Sequence, residues 1–167
     1  GQNLIAAGNF TTAGGLTRNR IAGWVNNSWA NIGSGFNNTV YTVSSFNTFL
    51  YAGGTFTTSG ATDLFKIAKW DGANWVPLGV GMDDGNVYAM RVLGTSLYVG
   101  GTFTMIGASP VNRIARWDGN SWANLGFGFS SGVYSLSASG SLLYAGGDFD
   151  FANLVPASKV AIWNGSS

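Results

Sequence analysis

The sequence predicts an all-β fold of the β-propeller type, and three repeated features predict it. Residues 4–10, 50–56, 97–103 and 143–149 share one motif, which reads Leu-Tyr-x-Gly-Gly-x-Phe in the last three. A second motif, Ile-Ala-x-Trp or Val-Ala-x-Trp, places Trp24, Trp70, Trp117 and Trp163 at spacings of 46, 47 and 46 residues. A third motif, Val-Tyr, recurs at Val40, Val87 and Val133. A fixed period of about 40 to 50 residues is typical of propeller blades.

Each repeat contains four short runs that are rich in β-branched and aromatic residues and are separated by Gly, Asn, Asp or Ser. Such runs predict strands, and they leave no room for a helix of ten or more residues. We therefore predict a partial ring of about 3.5 four-stranded antiparallel blades in one segment, residues 1–167. The predicted blades are 4–49, 50–96, 97–142 and a partial blade, 143–167. Further blades of the same longer chain, or another copy of the chain, would complete the ring.

The residues between the two tryptophan-bearing strands predict tight hairpins. They include Asn26-Asn27, Asp71-Gly72, Asp118-Gly119 and Asn164-Gly165. Asn, Asp and Gly tolerate the positive φ angles of such turns. The Gly-Gly pairs at 53–54, 100–101 and 146–147 predict a bulge or a close approach of two backbones.

The combined pattern Leu-Tyr-x-Gly-Gly-x-Phe, Ile-Ala-x-Trp-Asp-Gly-x-x-Trp-x-x-Leu-Gly-x-Gly and Val-Tyr resembles the kelch-like propeller repeats of large secreted bacterial surface proteins. Similar repeats occur in a fungal cortical marker protein. The resemblance covers the whole chain, with a departure at Val25-Asn26-Asn27, where the motif has Trp-Asp-Gly. It implies an extracellular or cell-surface setting, with a protein or a glycan as partner.

Composition narrows the functions that the chain can have. Charged residues make up 9% of the chain and the net charge is +1, which argues against nucleic-acid binding. No apolar stretch approaches the roughly 20 residues that span a bilayer, so we expect no membrane insertion. The chain has no His and no Cys, and all its acidic residues are Asp. These absences remove the usual general bases and thiol nucleophiles, and we expect a protein that is not an enzyme.

Two sets of residues recur once in every repeat. The seven tryptophans occupy repeated strand positions, which favours a packing framework over exposed sugar-stacking rings. A row of cations, four residues before the second-motif tryptophans, consists of Arg20, Lys66, Arg113 and Lys159. Equivalent positions share one face of a propeller, so this row is a candidate binding site for an anionic partner. The alternative is that the side chains pack along the blades and donate to loop carbonyls.

The acidic residues differ from repeat to repeat. Asp148 and Asp150 stand where other repeats have Asn or Thr, and Asp83 and Asp84 lie in a loop that is one residue longer than its counterparts. Oxygen-rich loops can hold Ca²⁺, so these four aspartates are candidate metal ligands. No known calcium motif matches them, and the alternative is that they are ordinary solvated loop residues.

Taken together, the sequence predicts a non-catalytic extracellular propeller segment that acts as a binding, adhesion or structural scaffold module. Two alternatives remain open. One is a carbohydrate-binding propeller with repeated sites, and the other is a fragment of a larger propeller enzyme whose catalytic residues lie outside the chain.

Overall fold

The chain forms twenty-two β-strands in the residues described by the structure, a computed structural model that covers 4–82 and 84–165. The first repeat contains β1 (Leu4–Ala7), β2 (Thr12–Ala13), β3 (Leu16–Thr17), β4 (Ile21–Val25) and β5 (Ser28–Asn31). The second contains β6 (Val40–Phe46), β7 (Phe49–Gly54), β8 (Thr58–Ser59), β9 (Thr62–Asp63), β10 (Ile67–Trp70) and β11 (Trp75–Pro77). The third contains β12 (Val87–Leu93), β13 (Ser96–Gly101), β14 (Met105–Ile106), β15 (Ser109–Pro110), β16 (Ile114–Trp117) and β17 (Trp122–Asn124). The fourth contains β18 (Val133–Ser139), β19 (Leu142–Gly147), β20 (Phe151–Ala152), β21 (Val155–Pro156) and β22 (Val160–Trp163).

Four antiparallel sheets follow one another along the chain, and we call them blades 1 to 4. Their strand orders are β1-β4-β5, β6-β7-β10-β11, β12-β13-β16-β17 and β18-β19-β22. This arrangement is that of a partial β-propeller, which confirms the predicted fold class. Each blade also carries a two-residue ribbon, β2-β3, β8-β9, β14-β15 or β20-β21, between its Leu-Tyr strand and its Ile-Ala-x-Trp strand. The sequence did not predict these ribbons, because two residues are too few to show an alternating pattern.

The hydrogen-bonded sheets divide the chain differently from the repeat boundaries taken from the sequence. The boundaries 4–49, 50–96, 97–142 and 143–167 begin each unit at the Leu-Tyr strand. In the structure the Val-Tyr strand of blade 2, β6, pairs with the Leu-Tyr strand β7 that follows it. Blades 2 and 3 are therefore the complete sheets, and the described parts of blades 1 and 4 contain three main strands each. The shift is one strand, because a repeat read from sequence can begin at any of its strands.

The Val-Tyr strands form the inner edge of the propeller. β6, β12 and β18 are each the first strand of a sheet, and β12 packs between β6 and β18. No hydrogen-bond ladder joins these three strands, so they contact one another through side-chain packing. Among the described residues, no helix has the length and apolar character needed to cross a lipid bilayer.

Two of the repeated tryptophans, Trp75 and Trp117, are buried at junctions between blades. Trp75 is 1% exposed and packs with Ile21 and Phe36 of the preceding blade 1 region. Its indole N–H donates to the carbonyl of Ile32 at 3.0 Å. Trp117 is also buried, whereas Trp24 on blade 1 is 38% exposed. Burial of such large rings supplies much of the hydrophobic stabilisation between blades.

The predicted hairpin turns of blades 1 to 3 form, but their geometry differs between blades. Asn26 and Asn27 have φ angles of 49° and 61°, and they close a two-residue turn in which Val25 pairs with Ser28. In blade 2 only Gly72 of the Asp-Gly pair has positive φ, at 107°. The Asp71 carboxylate accepts hydrogen bonds from the backbone N–H groups of Ala73 and Asn74. In the longer turn of blade 2, hydrogen bonds to the Asp71 carboxylate therefore stabilise the backbone, whereas the turn of blade 1 has two residues with positive φ.

The Gly-Gly pairs confirm the predicted close approach of backbones. A methyl group on Gly54 would collide with the carbonyl oxygen of Thr39, which precedes the inner strand of the same blade. A methyl group on Gly53 would collide with Val87, which begins the inner strand of the next blade. The pair at 100–101 is confined in the same way by Val133 and Asn86. These two pairs therefore let one strand pack tightly against two inner strands, whereas the pair at 146–147 is confined by Gly132 and Ser135 of its own blade.

Candidate functional site

Three tyrosines on the inner strands form an aromatic row, which we call the tyrosine row: Tyr41, Tyr88 and Tyr134. The hydrogen-bond register between the first two strands of each blade shifts at the tyrosine position, between Val40 and Thr42 in blade 2. The same shift occurs in blades 3 and 4. A bulge leaves its extra residue outside the regular ladder and re-aims its side chain. The bulges thus set the tyrosines apart from the packed faces of the blades.

The rings of the tyrosine row contact each other across the blades. Tyr41 and Tyr88 are stacked with centroids 4.9 Å apart, and Tyr88 meets Tyr134 edge to face at 5.1 Å. Tyr41 is 48% exposed and Tyr134 is 43% exposed. The row is therefore a continuous aromatic surface that is open to solvent and held in place by its own ring contacts.

Polar groups surround the tyrosine row, and they differ from blade to blade. The Asn86 side-chain amide donates to the Tyr88 hydroxyl at 3.4 Å. A hydrogen bond to Asp148 raises the pKa of the Tyr134 hydroxyl, and partial burial and nearby charge add to the effect. Gly132 leaves room for the Tyr134 ring, because a methyl group there would lie 2.9 Å from the hydroxyl oxygen. Amide, hydroxyl and carboxylate groups thus lie within reach of a ligand on the aromatic surface.

In the sequence the Val-Tyr repeat indicates only a strand. The signal was present, because a tyrosine recurs directly after a valine in three blades. In a regular strand the side chains of successive residues also point to opposite faces. The Val-Tyr pattern alone therefore does not indicate a bulge. The bulge is what distinguishes the tyrosine row from an ordinary solvent-facing strand position.

The predicted cation row is placed at one equivalent position in every blade, with its charged groups bonded to the protein. Arg20 and Arg113 donate through Nη1 to the carbonyls of Phe36 and Phe129, both at 3.2 Å. Lys66 and Lys159 donate through Nζ to Thr55 and Asp148 carbonyls at 3.2 and 2.9 Å. These are the loop-carbonyl contacts of the packing alternative. Binding of an anionic partner by this row stays a prediction.

The backbone of the cation row adopts a conformation that the sequence did not indicate. The φ angles are 65° at Arg20, 69° at Lys66, 65° at Arg113 and 70° at Lys159. Side chains other than Gly, Asn and Asp rarely adopt this left-handed region. At each position the backbone N–H donates to the motif phenylalanine carbonyl, as Arg113 does to Phe103 at 2.9 Å. The cations thus terminate the ribbon of each blade and tie it back to the preceding strand.

The candidate metal ligands lie apart or are engaged in internal contacts. Asp83 lies outside the described residues. The Asp84 carboxylate accepts hydrogen bonds from Thr104 N at 2.7 Å, from Met105 N at 3.1 Å and from the Thr104 hydroxyl. Asp150 forms an ion pair with Lys159 at 2.7 Å. No group of three or more potential ligands is close enough to hold a metal ion in 4–82 and 84–165. The calcium site stays a prediction.

Asp84 belongs to a structural clip that recurs in three blades. Asn37 and Ser130 lie, like Asp84, three residues before the inner-strand valine. Asn37 Oδ1 accepts from Thr57 N at 2.9 Å and Thr58 N at 3.1 Å. Ser130 Oγ accepts from the corresponding N–H groups in blade 4. The shared feature is a side-chain oxygen that binds two adjacent N–H groups, which explains why Asp, Asn and Ser alternate at this position.

We predict that Asp84→Asn will change the pH dependence of stability. Partial burial raises the pKa of Asp84, but the hydrogen bonds from Thr104 and Met105 outweigh it and hold the pKa below the ordinary value. Because the pKa of Asp84 is lower in the folded state, its ionised carboxylate stabilises the fold. This stabilisation is fully present above the unfolded-state pKa of about 3.9 and is lost as pH falls through the folded-state pKa. The unfolding free energy of the native chain should therefore fall relative to that of Asp84→Asn below about pH 4.

Urea unfolding between pH 2 and pH 7 measures this difference. Asn can accept the same two N–H groups, as Asn37 does, so the variant should fold. Thr104→Val removes one donor and should make the pH-dependent loss smaller. A constant free-energy difference between the native chain and Asp84→Asn over the whole range would contradict the prediction.

Comparison with known proteins agrees with the fold. A family model described as "Domain of unknown function (DUF5122) beta-propeller" matches residues 96–120, which include β13 and β16. The chain is also similar to a solved structure described as the computationally designed Ika4 protein. The TM-score is 0.51 at 12% sequence identity, over 86% of this chain and 78% of that chain. No curated protein matches the chain. These findings support a propeller-type repeat and do not assign an activity.

Proposed function

We propose that this chain is a non-catalytic segment of an extracellular β-propeller and that it binds a partner through the tyrosine row. The observation that carries the proposal is the bulge in each inner strand, which presents a tyrosine outside the ladder in three successive blades. Tyrosine gives a large contact area with few rotatable bonds, and it is enriched among the residues that contribute most to binding. The extracellular setting rests on the resemblance of the repeats to those of secreted surface proteins.

The groups next to the tyrosine row favour a glycan as the partner. The exposed faces of Tyr41 and Tyr134 can stack on the apolar face of a sugar ring. Asn86 and Asp148 lie beside the rings and can exchange hydrogen bonds with sugar hydroxyls. The tryptophans do not supply a comparable repeated surface, because Trp75 and Trp117 are buried between blades. If the bound glycan belongs to the surface of another cell, the chain acts in adhesion.

The absence of catalysis is part of the proposal. The chain contains no His, Cys or Glu. Hydrolysis of a glycosidic bond usually requires two carboxyl groups on opposite sides of that bond, about 5 to 9.5 Å apart. At the tyrosine row the chain contributes Asp148, whose carboxylate accepts a hydrogen bond from Tyr134. We therefore expect a bound glycan to be held and released unchanged.

The double variant Tyr41→Ala/Tyr134→Ala tests the proposal on a printed array of bacterial and mammalian glycans. We expect the native chain to bind one glycan class saturably and the double variant to bind it at least tenfold more weakly, which corresponds to about 1.4 kcal/mol. Both side chains are about half exposed, so the fold should persist. Tyr144→Ala, on β19 and outside the row, is the matched control and should bind normally. Unchanged glycan binding by the double variant would contradict the tyrosine row, and a native chain that binds no glycan would favour the scaffold alternative.

A further inference from the structure

A cavity of about 440 Å³ lies between blade 3 and blade 4. Its apolar walls include Ile114 and Leu125 from blade 3, and Leu143, Ala161 and Trp163 from blade 4. Pockets that bind small ligands usually have volumes of about 300–1,000 Å³. The cavity is thus large enough for a whole side chain or a small molecule.

Each of these wall residues has a counterpart around Trp75, two blades earlier in the chain. The counterparts are Ile21, Ile32, Leu50, Ala68 and Trp70. Trp75 lies among them, with its ring 5.4 Å from the ring of Trp70. Trp122 occupies the next junction in the same way, 5.0 Å from the ring of Trp117, and its N–H donates to the Leu78 carbonyl at 3.2 Å. Two of the three junctions between blades therefore hold an indole at the position of the cavity.

The packing of the third junction shows the effect of the cavity. In the first junction one continuous cluster surrounds Trp75. In the third, the corresponding side chains divide into two clusters, one with Ile114 and Leu143 and the other with Ala145 and Phe149. Ala68 and Ala115 are fully buried, whereas their counterpart Ala161 is partly exposed. The third junction therefore contains the same wall residues as the first two junctions, but the described residues place no indole ring between them.

A strand edge lies next to the cavity. In blades 2 and 3 the Ile-Ala-x-Trp strands pair on one side with β11 and β17, which begin with Trp75 and Trp122. In the part of the chain that the structure describes, β22 pairs with β19 alone. An open edge can accept an extended segment through backbone hydrogen bonds, while pockets beside it select the side chains.

We infer that this cavity is an indole socket for an extended segment of the type Trp-x-x-Leu-Gly, supplied by a further repeat of the same kind of sequence. The tryptophan ring fills the cavity, and its N–H donates to the Leu125 carbonyl, as Trp122 donates to Leu78. The backbone of the segment pairs with the open edge of β22. The segment thereby completes blade 4 in the same way that β17 completes blade 3.

A peptide with the sequence of residues 118–128 tests this inference, because it contains the complete Trp-x-x-Leu-Gly segment of blade 3. The peptide carries a fluorophore at its amino terminus, and its anisotropy is measured against increasing concentrations of the 167-residue chain. We expect saturable binding. The same peptide with Trp122→Ala should bind at least tenfold more weakly, because the anchor ring is lost. This comparison uses the native chain, so it does not depend on how a protein variant folds.

A second comparison places the site on the protein. Ala161→Phe puts a ring into the socket and should weaken binding of the native peptide at least tenfold. Ala73→Phe, in an exposed turn of blade 2, is the control and should bind normally. The inference is overturned if the two peptides bind equally, if neither binds, or if Ala161→Phe binds like the native chain. It is also overturned if sedimentation shows a native dimer that Ala161→Phe dissociates, since the socket would then belong to a second copy.

Discussion

Replacing Trp75 by alanine lowers the free energy of unfolding by about 3–5 kcal/mol, the range measured for large aromatic residues removed from protein cores. Three contacts explain this size. The ring packs against Phe36 with centroids 4.8 Å apart, it contacts Trp70 on its own blade, and its N–H binds the Ile32 carbonyl. Truncation would leave a cavity between blades 1 and 2 and a half-buried carbonyl without its donor.

The matched control for this substitution is Trp29→Ala. Trp29 occupies the equivalent repeat position on blade 1 and is only partly buried. It contacts Trp24 edge to face at 5.2 Å. We expect Trp29→Ala to lower the free energy of unfolding by about 1 kcal/mol, because folding removes less apolar surface from water at Trp29 than at Trp75. Urea unfolding followed by far-ultraviolet circular dichroism gives both values. If both variants lost the same free energy of unfolding, the contribution of Trp75 to stability would not come from the junction between blades.

Gly101→Ala has the second largest expected effect, a loss of about 1–3 kcal/mol or more from overpacking. The added methyl group would collide with the Asn86 carbonyl oxygen and approach the ring of Phe103 to 2.8 Å. The first obstacle is backbone, so the inner strand β12 would have to move. Because β12 packs against β6 and β18, such a movement would disturb two junctions between blades.

Gly8→Ala provides the comparison for this second variant, since Gly8 holds the same repeat position on blade 1. A methyl group there would lie 3.6 Å from the Phe10 ring, an ordinary van der Waals contact. We expect a change below about 0.5 kcal/mol, typical of a substitution with free space. Thermal unfolding of both variants measures the difference. If Gly101→Ala were as stable as Gly8→Ala, the glycine pairs would not be needed for the approach of the strands.

The repeat made most of the fold predictable. Tryptophans, glycine pairs and turn residues recur at one period, so each of the four units supports the assignment of the others. The boundaries of the blades could not be obtained in this way. A period fixes the length of a repeat but not the strand at which a sheet begins. Eight residues separate β6 from β5, whereas two residues separate it from β7, with which it pairs.

The candidate site was less predictable than the fold. The cation row was found because its charge recurs, yet its φ angles near 65–70° arise from the ribbon that precedes it and not from the preference of Arg or Lys. The tyrosine row was missed because its exposure depends on a register shift of one residue. Asp84 is a candidate metal ligand from the composition of its loop, whereas its hydrogen bonds from Thr104 and Met105 depend on the packing of a segment about 20 residues away, which the sequence does not show.

The bulge at each tyrosine has a practical consequence for engineering. A residue that lies outside the ladder contributes little to strand pairing, so its identity can vary with small effect on the sheet. Positions 41, 88 and 134 therefore offer three adjacent sites that could be randomised together on a constant framework. A library built there would sample new specificities on a surface whose spacing is fixed by the blades.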